Sequence, residues 1–185
     1  MPRRRLRTGA HLLGKRDGCP ESRRTEPRLD RSRPPGFGLH CPAVATGPTP
    51  EDPLTGACLC GGVRFELTGP FSMAGYCHCT NCQRRTGTSQ SAQGRIPRES
   101  FRLLAGAELL RSYTPEGAGA KVFCSHCGSS VFGGDPLSDE VVRIRLGTLE
   151  GDPGIRPDYR QYLDSAAVWE PIPDDGLERF GGRRG

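Results

Sequence analysis

The stretch GGVRFELTG alternates: Val63, Phe65 and Leu67 are apolar, Arg64 and Glu66 are charged, and glycines bound it on both sides. That is the period of a half-buried strand. VVRIRLG repeats the device, with Val142, Ile144 and Leu146 predicted to face inward and Arg143 and Arg145 outward. SFRLLAG, LLRSYT and AKVFCS read as further strands between them. A short helix is predicted from Thr80 to Thr86, stopped by Gly87, a residue suited to a left-handed C-terminal position. The pattern predicts a small, mainly β, mostly antiparallel domain over residues 53–182, with too little core to dispense with a staple.

Before that domain the pattern disappears. Up to about Gly47 the chain is basic and proline-rich, without apolar period. Residues 1–50 hold 11 basic and 4 acidic side chains and the rest of the chain 15 and 17, so the net charge of +5 resides in the tail. Such a segment buries too little apolar surface to offset its ordering entropy, and residues 1–52 are expected to be disordered. A basic arm of this kind could contact nucleic acid or another anionic partner. No apolar run approaches the ~18 residues that cross a bilayer, and the N-terminus lacks a secretory apolar segment, so a cytoplasmic protein without membrane partners is expected.

Cysteine usage changes the picture most. Nine cysteines without an export signal point to reduced thiols serving metal or catalysis. Cys19 and Cys41 lie in the tail and read as bystanders. The other seven form three clusters: Cys58 and Cys60; Cys77, Cys79 and Cys82; Cys124 and Cys127. A Cys-x-Cys pair on a strand offers both sulfurs to one ion, and a Cys-x-x-Cys knuckle does the same, with Gly128 turning the chain away. Joining the first and third clusters gives a closed four-thiolate zinc site across a long loop. The middle cluster then keeps three thiolates and an open position, the arrangement of catalytic zinc. The competing pattern is a single ribbon built from Cys79, Cys82, Cys124 and Cys127, at a spacing well beyond the usual one. His78 and His126 sit between ligands, where their side chains are expected to point away.

The segments GACLCGGVRFELTG, YCHCTNCQRRTG, FCSHCGSSVFGG and WEPIPDDGLERF follow in this order. Together they resemble the glutathione-dependent formaldehyde-activating enzyme family, which shares its domain with centromere protein V. The similarity runs from Leu54 to Phe180. It implies a β-tent fold with two zinc ions. Cys58, Cys60, Cys124 and Cys127 would hold the structural ion, and Cys77, Cys79 and Cys82 the catalytic one. The sequence departs from the family pattern at Gln83, where an arginine is common, and in DYRQYL, which lacks a histidine many relatives carry. The anion contact to a thiol co-substrate therefore falls to Arg84 and Arg85.

The implied activity is that of a carbon–sulfur lyase or synthase. It would form or break S-hydroxymethyl adducts of formaldehyde with glutathione or another small thiol. Three thiolates make zinc a modest Lewis acid, better at holding a fourth sulfur as thiolate than at making hydroxide. Ser89, Gln90, Ser91 and Gln93 are candidates to line the site. Trp169 is expected to lid the core, and Asp175-Gly176-Leu177 to form a turn. The rival function is a non-catalytic zinc module that binds nucleic acid or protein through the tail. Deleting residues 1–50 is expected to leave metal content and melting temperature nearly unchanged, which elemental analysis and thermal denaturation would check.

Overall fold

The computed structural model describes residues 46–184, so residues 1–45 of the expected tail, with Cys19 and Cys41, lie outside the described residues. Strands β1 (Leu54–Ala57) and β2 (Arg64–Leu67) form a hairpin. Strand β3 (Met73–Cys77) leads into helix α1 (Thr80–Thr86), and β4 (Ser91–Pro97) returns antiparallel to β3. After β5 (Phe101–Ala105) come β6 (Leu110–Tyr113), β7 (Lys121–Cys124), β8 (Ser130–Gly133) and β9 (Val141–Arg145). Two short strands, β10 (Tyr159–Gln161) and β11 (Glu178–Arg179), complete the set.

They make two sheets. The smaller has the order β1-β2-β5, the larger β11-β10-β3-β4-β9-β8-β7-β6. Among the described strands β10 pairs parallel, with both β3 and β11, and the other pairings are antiparallel. The mainly β fold is as the alternation predicts. Helix α1 occupies the expected residues and ends on Gly87 at φ 68°, whose N–H closes on Gln83 O at 2.8 Å. No helix among the described residues is long and apolar enough to cross a membrane.

Alternation decides what goes between the sheets. Val63, Phe65 and Leu67 are buried, together with Ile96, Val122, Val131, Phe132, Val142 and Ile144 from the large sheet. Three rings lock the centre: Phe132 meets Phe65 at 5.1 Å and Phe101 at 5.4 Å, both edge-on. These geometries suit the ring quadrupoles. The expected tryptophan lid is not there. Trp169 is 68% exposed, because the three phenylalanines already fill the space between the sheets. Asp175 and Gly176 do form the expected turn, with Gly176 at φ 74° and the Leu177 N–H reaching Asp175 Oδ1.

Arg143 and Arg145 point away from this core, as expected, but away from the core is not into water. Arg145 is buried, on the second face of the large sheet. Truncating the ring at the middle of the core tests the packing. Phe132→Ala is expected to cost about 3–5 kcal/mol, or roughly 10–20 °C in melting temperature. Arg102→Ala, on an exposed ion pair with Glu66, should cost under about 1 kcal/mol.

Candidate functional site

Two knuckles build the first sulfur group. Between β1 and β2 the chain turns at Gly61 (φ 72°), whose N–H donates to Cys58 O at 2.9 Å. After β7 it turns at Gly128 (φ 74°), whose N–H donates to Cys124 O at 2.8 Å. The Leu59 N–H reaches Ser129 Oγ at 3.0 Å and ties one knuckle to the other. The sulfurs of Cys58, Cys60, Cys124 and Cys127 then all lie within 4.8 Å of one another. Cys58 and Cys60 are 3.4 Å apart, Cys60 and Cys124 3.9 Å. A tetrahedral ion with Zn–S bonds of ~2.3 Å needs sulfurs about 3.8 Å apart, so the donor set fits zinc. Backbone N–H groups already favour thiolates here: that of Val63 donates to Cys58 Sγ at 3.2 Å, and that of Ser129 holds the Cys127 thiol down to about 6.

The second group is Cys77 at the end of β3, Cys79 capping α1, and Cys82 in its first turn, again within 4.8 Å. Hydrogen bonds from Cys77 and Cys82, then the N–H groups of Cys82 and Asn81, hold the Cys79 thiol down to about 2 against its burial. Cys77 is pushed up, chiefly by donating to Cys79 and Cys82. Three soft donors with a fourth direction open fit a zinc with one exchangeable position. Cys79 and Cys82 therefore stand apart from Cys124 and Cys127, and the single-ribbon pattern is not what forms.

The loop carrying these ligands is held from several sides. The His78 N–H donates to Gln161 O at 3.0 Å, and Gln83 Nε2 donates to His78 O at 2.6 Å and Ser165 O at 2.8 Å. His78 itself is buried outside the sulfur group, with Nε2 3.3 Å from Arg160. Arg160 also donates to Gln90 and to Asp175 (2.6 Å), and stacks on the Tyr76 ring at 4.5 Å. Those bonds from Arg160 hold the Asp175 carboxyl below its usual range. His126 is exposed.

A cavity of about 610 Å³ opens over Cys77, Cys79 and Cys82. Its wall is the polar face of the large sheet, and strand register decides which side chains meet there. Gln161, Cys77 and Ser91 share one row; Tyr159, Gly75, Gln93 and Arg145 share the next. Gly75 is needed because the Tyr159 ring lies over it, where any Cβ would collide. Arg145 is 6% exposed, donating to Ser91 Oγ at 3.1 Å and Gln93 Oε1 at 2.7 Å. Lys121, Arg143 and Arg183 also line the cavity, Arg143 paired with Asp139 at 3.2 Å.

Arg84 and Arg85 do not line it. Both border a neighbouring groove of about 410 Å³ instead. Helical geometry explains the difference: residues 82 and 85, one turn apart, face the sheet together, and residue 84 turns away. Arg84 is exposed, whereas Arg85 Nη2 donates to Val122 O (2.6 Å) and Phe132 O (2.8 Å). Burial, and then the nearby Arg145, bring Arg85 down to about 10. Of the expected polar residues, Gln93 lines the cavity itself and Ser91 reaches it through Arg145, while Ser89 and Gln90 border a small recess beside His78. Arg145 and Gln161 were not legible as site residues. The available signal was the polar half of each strand's alternation, and that becomes meaningful only with the register.

The family model for the glutathione-dependent formaldehyde-activating enzyme matches residues 53–165. A Halomonas elongata protein provisionally named a glutathione-dependent formaldehyde-activating enzyme is 29% identical over 116 residues, covering 60% of this chain and 73% of that protein. A crystal structure of a Rhodobacter sphaeroides protein aligns with a TM-score of 0.44 at 24% identity, over 68% of this chain and 98% of that one.

The two sulfur groups should answer differently to mutation. The binding free energy of a closed structural zinc site, on the order of 10 kcal/mol, is largely folding free energy, and losing one ligand forfeits part of it. Cys60→Ser and Cys124→Ser are therefore expected to give insoluble or unfolded protein. Cys79→Ser should stay folded with one zinc fewer, by circular dichroism and elemental analysis. Unfolding by Cys79→Ser with tolerance at Cys60 and Cys124 would reverse the two roles.

Proposed function

The chain belongs to the glutathione-dependent formaldehyde-activating enzyme family, and we propose that it catalyses the reversible addition of a small thiol to formaldehyde, with glutathione as the leading thiol. The observation that carries this reading is the three-cysteine group at the floor of a cavity sized for a small molecule. The closed group of Cys58, Cys60, Cys124 and Cys127 serves the fold, holding a structural zinc.

Cys77, Cys79 and Cys82 would hold a zinc ion, which would supply a Lewis-acidic position that favours an incoming thiol as thiolate at neutral pH. The chain's own groups do the rest. Cys79, already the most acidic of the three thiols, begins the thiolate set. Lys121 and Arg183 at the cavity wall are placed to take the carboxylates of a peptide-like thiol. The sulfur lone pair attacks the formaldehyde carbon and the C=O π pair moves to oxygen. Oxygen then takes up a proton equivalent to the one the thiol released. The S-hydroxymethyl adduct therefore forms with no net change in protons, and the reverse reaction is a carbon–sulfur lyase step. Free thiols in two metal-ready groups suit a reducing compartment, which we take to be the cytoplasm.

Exchange NMR on formaldehyde mixed with glutathione, or with other small thiols, tests the proposal. Enzyme should accelerate adduct interconversion by about tenfold or more over the uncatalysed exchange. Cys79→Ser should remove that acceleration. A protein carrying both zinc ions that accelerates exchange with none of these thiols would refute the reading and favour a binding module.

A further inference from the structure

Two arginines next to the open sulfur group, Arg145 buried and Arg85 half-buried, have no carboxylate. The ion pairs among the described residues use Arg102, Arg143, Arg156, Arg160, Arg179 and Arg184, and neither Arg85 nor Arg145. Both are also under-satisfied: Arg85 Nη1 and Arg145 Nε are buried without a hydrogen-bond partner. The two guanidinium groups converge on one spot of β8. Arg85 donates to Phe132 O at 2.8 Å, and Arg145 Nη2 lies 3.4 Å from where a Cβ on Gly133 would sit. Each is also tied to the sulfurs by the backbone. Arg85 is one helical turn after Cys82, and the Ser91 hydroxyl that accepts from Arg145 belongs to the residue paired with Cys77.

Taking a cation out of water without an anion is strongly disfavoured, so the buried Arg145 and the half-buried Arg85 call for negative charge beside them. The cysteine group supplies it. Three thiolates around a divalent ion carry −1, and Arg85 and Arg145 bring the cluster to +1. One further anion neutralises it. We infer that Arg145, backed by Arg85, is the positioning residue that makes the open side of the cysteine group accept a sulfur as thiolate, acting on the charge of the sulfur and not on the rest of the thiol. The proton leaves to the buffer. This inference rests on the functional reading above and deepens it. It divides the labour among the cations: Arg145 is almost fully buried with Nη1 already committed to Ser91 and Gln93, whereas Lys121 and Arg183 stand at the wall for a substrate's carboxylates.

The division is testable without turnover. Full-length protein loaded with cobalt reports a fourth thiolate through its sulfur-to-metal charge-transfer absorption. It would be titrated at fixed pH with glutathione and with 2-mercaptoethanol, which has no carboxylate. Arg145→Gln is expected to weaken both thiols by roughly tenfold to a hundredfold. Arg183→Gln should weaken glutathione only, and Arg145→Lys should hold 2-mercaptoethanol within about threefold of the parent because the charge is kept. If Arg145→Gln does not fold or hold its metal, Arg145→Lys decides, and a tenfold or greater loss of 2-mercaptoethanol there overturns the inference. So does an Arg145→Gln protein that loses affinity for glutathione alone, or for neither thiol. A parent spectrum indifferent to every thiol would instead sink the functional reading, and the inference with it.

Discussion

The register of β3 on β4 and of β4 on β9 is the constraint from which the site follows. Cross-strand partners share a face, so pairing Cys77 with Ser91 and Gln93 with Arg145 fixes a polar face, while Ile96 with Val142 and Gly94 with Ile144 fix the apolar one. A slip of one residue would put the core in the cavity and the arginine in the core. Register is enforced by the fit of the Phe71 ring over Gly94 on one side and of the Tyr159 ring over Gly75 on the other. The closed sulfur group completes the enforcement. It binds the β1–β2 hairpin of the small sheet to the β7–β8 knuckle of the large one, and Cys58 and Cys124 pack within the core itself.

Preorganisation at the open group has the same origin. Cys77, His78 and Cys79 cross from a strand to a helix, a place where a loop would ordinarily be loose. Here its backbone is bonded to Gln161 and Gln83, and the buried Arg160 packs against Tyr76 and His78 from behind. Gln83 donates two hydrogen bonds, to His78 O and Ser165 O, and so joins α1 and the ligand loop to the segment after β10. A donor set fixed this way loses little freedom when a metal or thiol arrives.

Much of this was legible in the sequence because it is local. Period-two alternation located β2 and β9, apolar runs between them read as β5, β6 and β7, a glycine marked the end of α1, and cysteine spacing separated a closed group from an open one. What depended on long-range pairing was not. Short β10, YRQ within DYRQYL, carries no alternation to speak of, and its parallel place beside β3 comes from chain topology. The arginines nearest Cys82 in sequence looked like the anion contacts, but helical phase sends Arg84 to the surface and Arg85 onto backbone carbonyls. The cation facing the sulfurs comes instead from a strand more than 60 residues away, visible in sequence only as the polar half of a pattern.

The exposure of Trp169 has a consequence for how unfolding is observed. It is the only tryptophan, and it stands outside the core between Val168 and Glu170, both also exposed to solvent. Its emission therefore follows the segment leading to Pro173 rather than the sheets, whose loss is seen by far-ultraviolet dichroism. Coincidence of probes is the usual evidence for a single cooperative transition. In this protein, fluorescence and dichroism curves that part company would reflect where the fluorophore sits, and would not by themselves establish a populated intermediate.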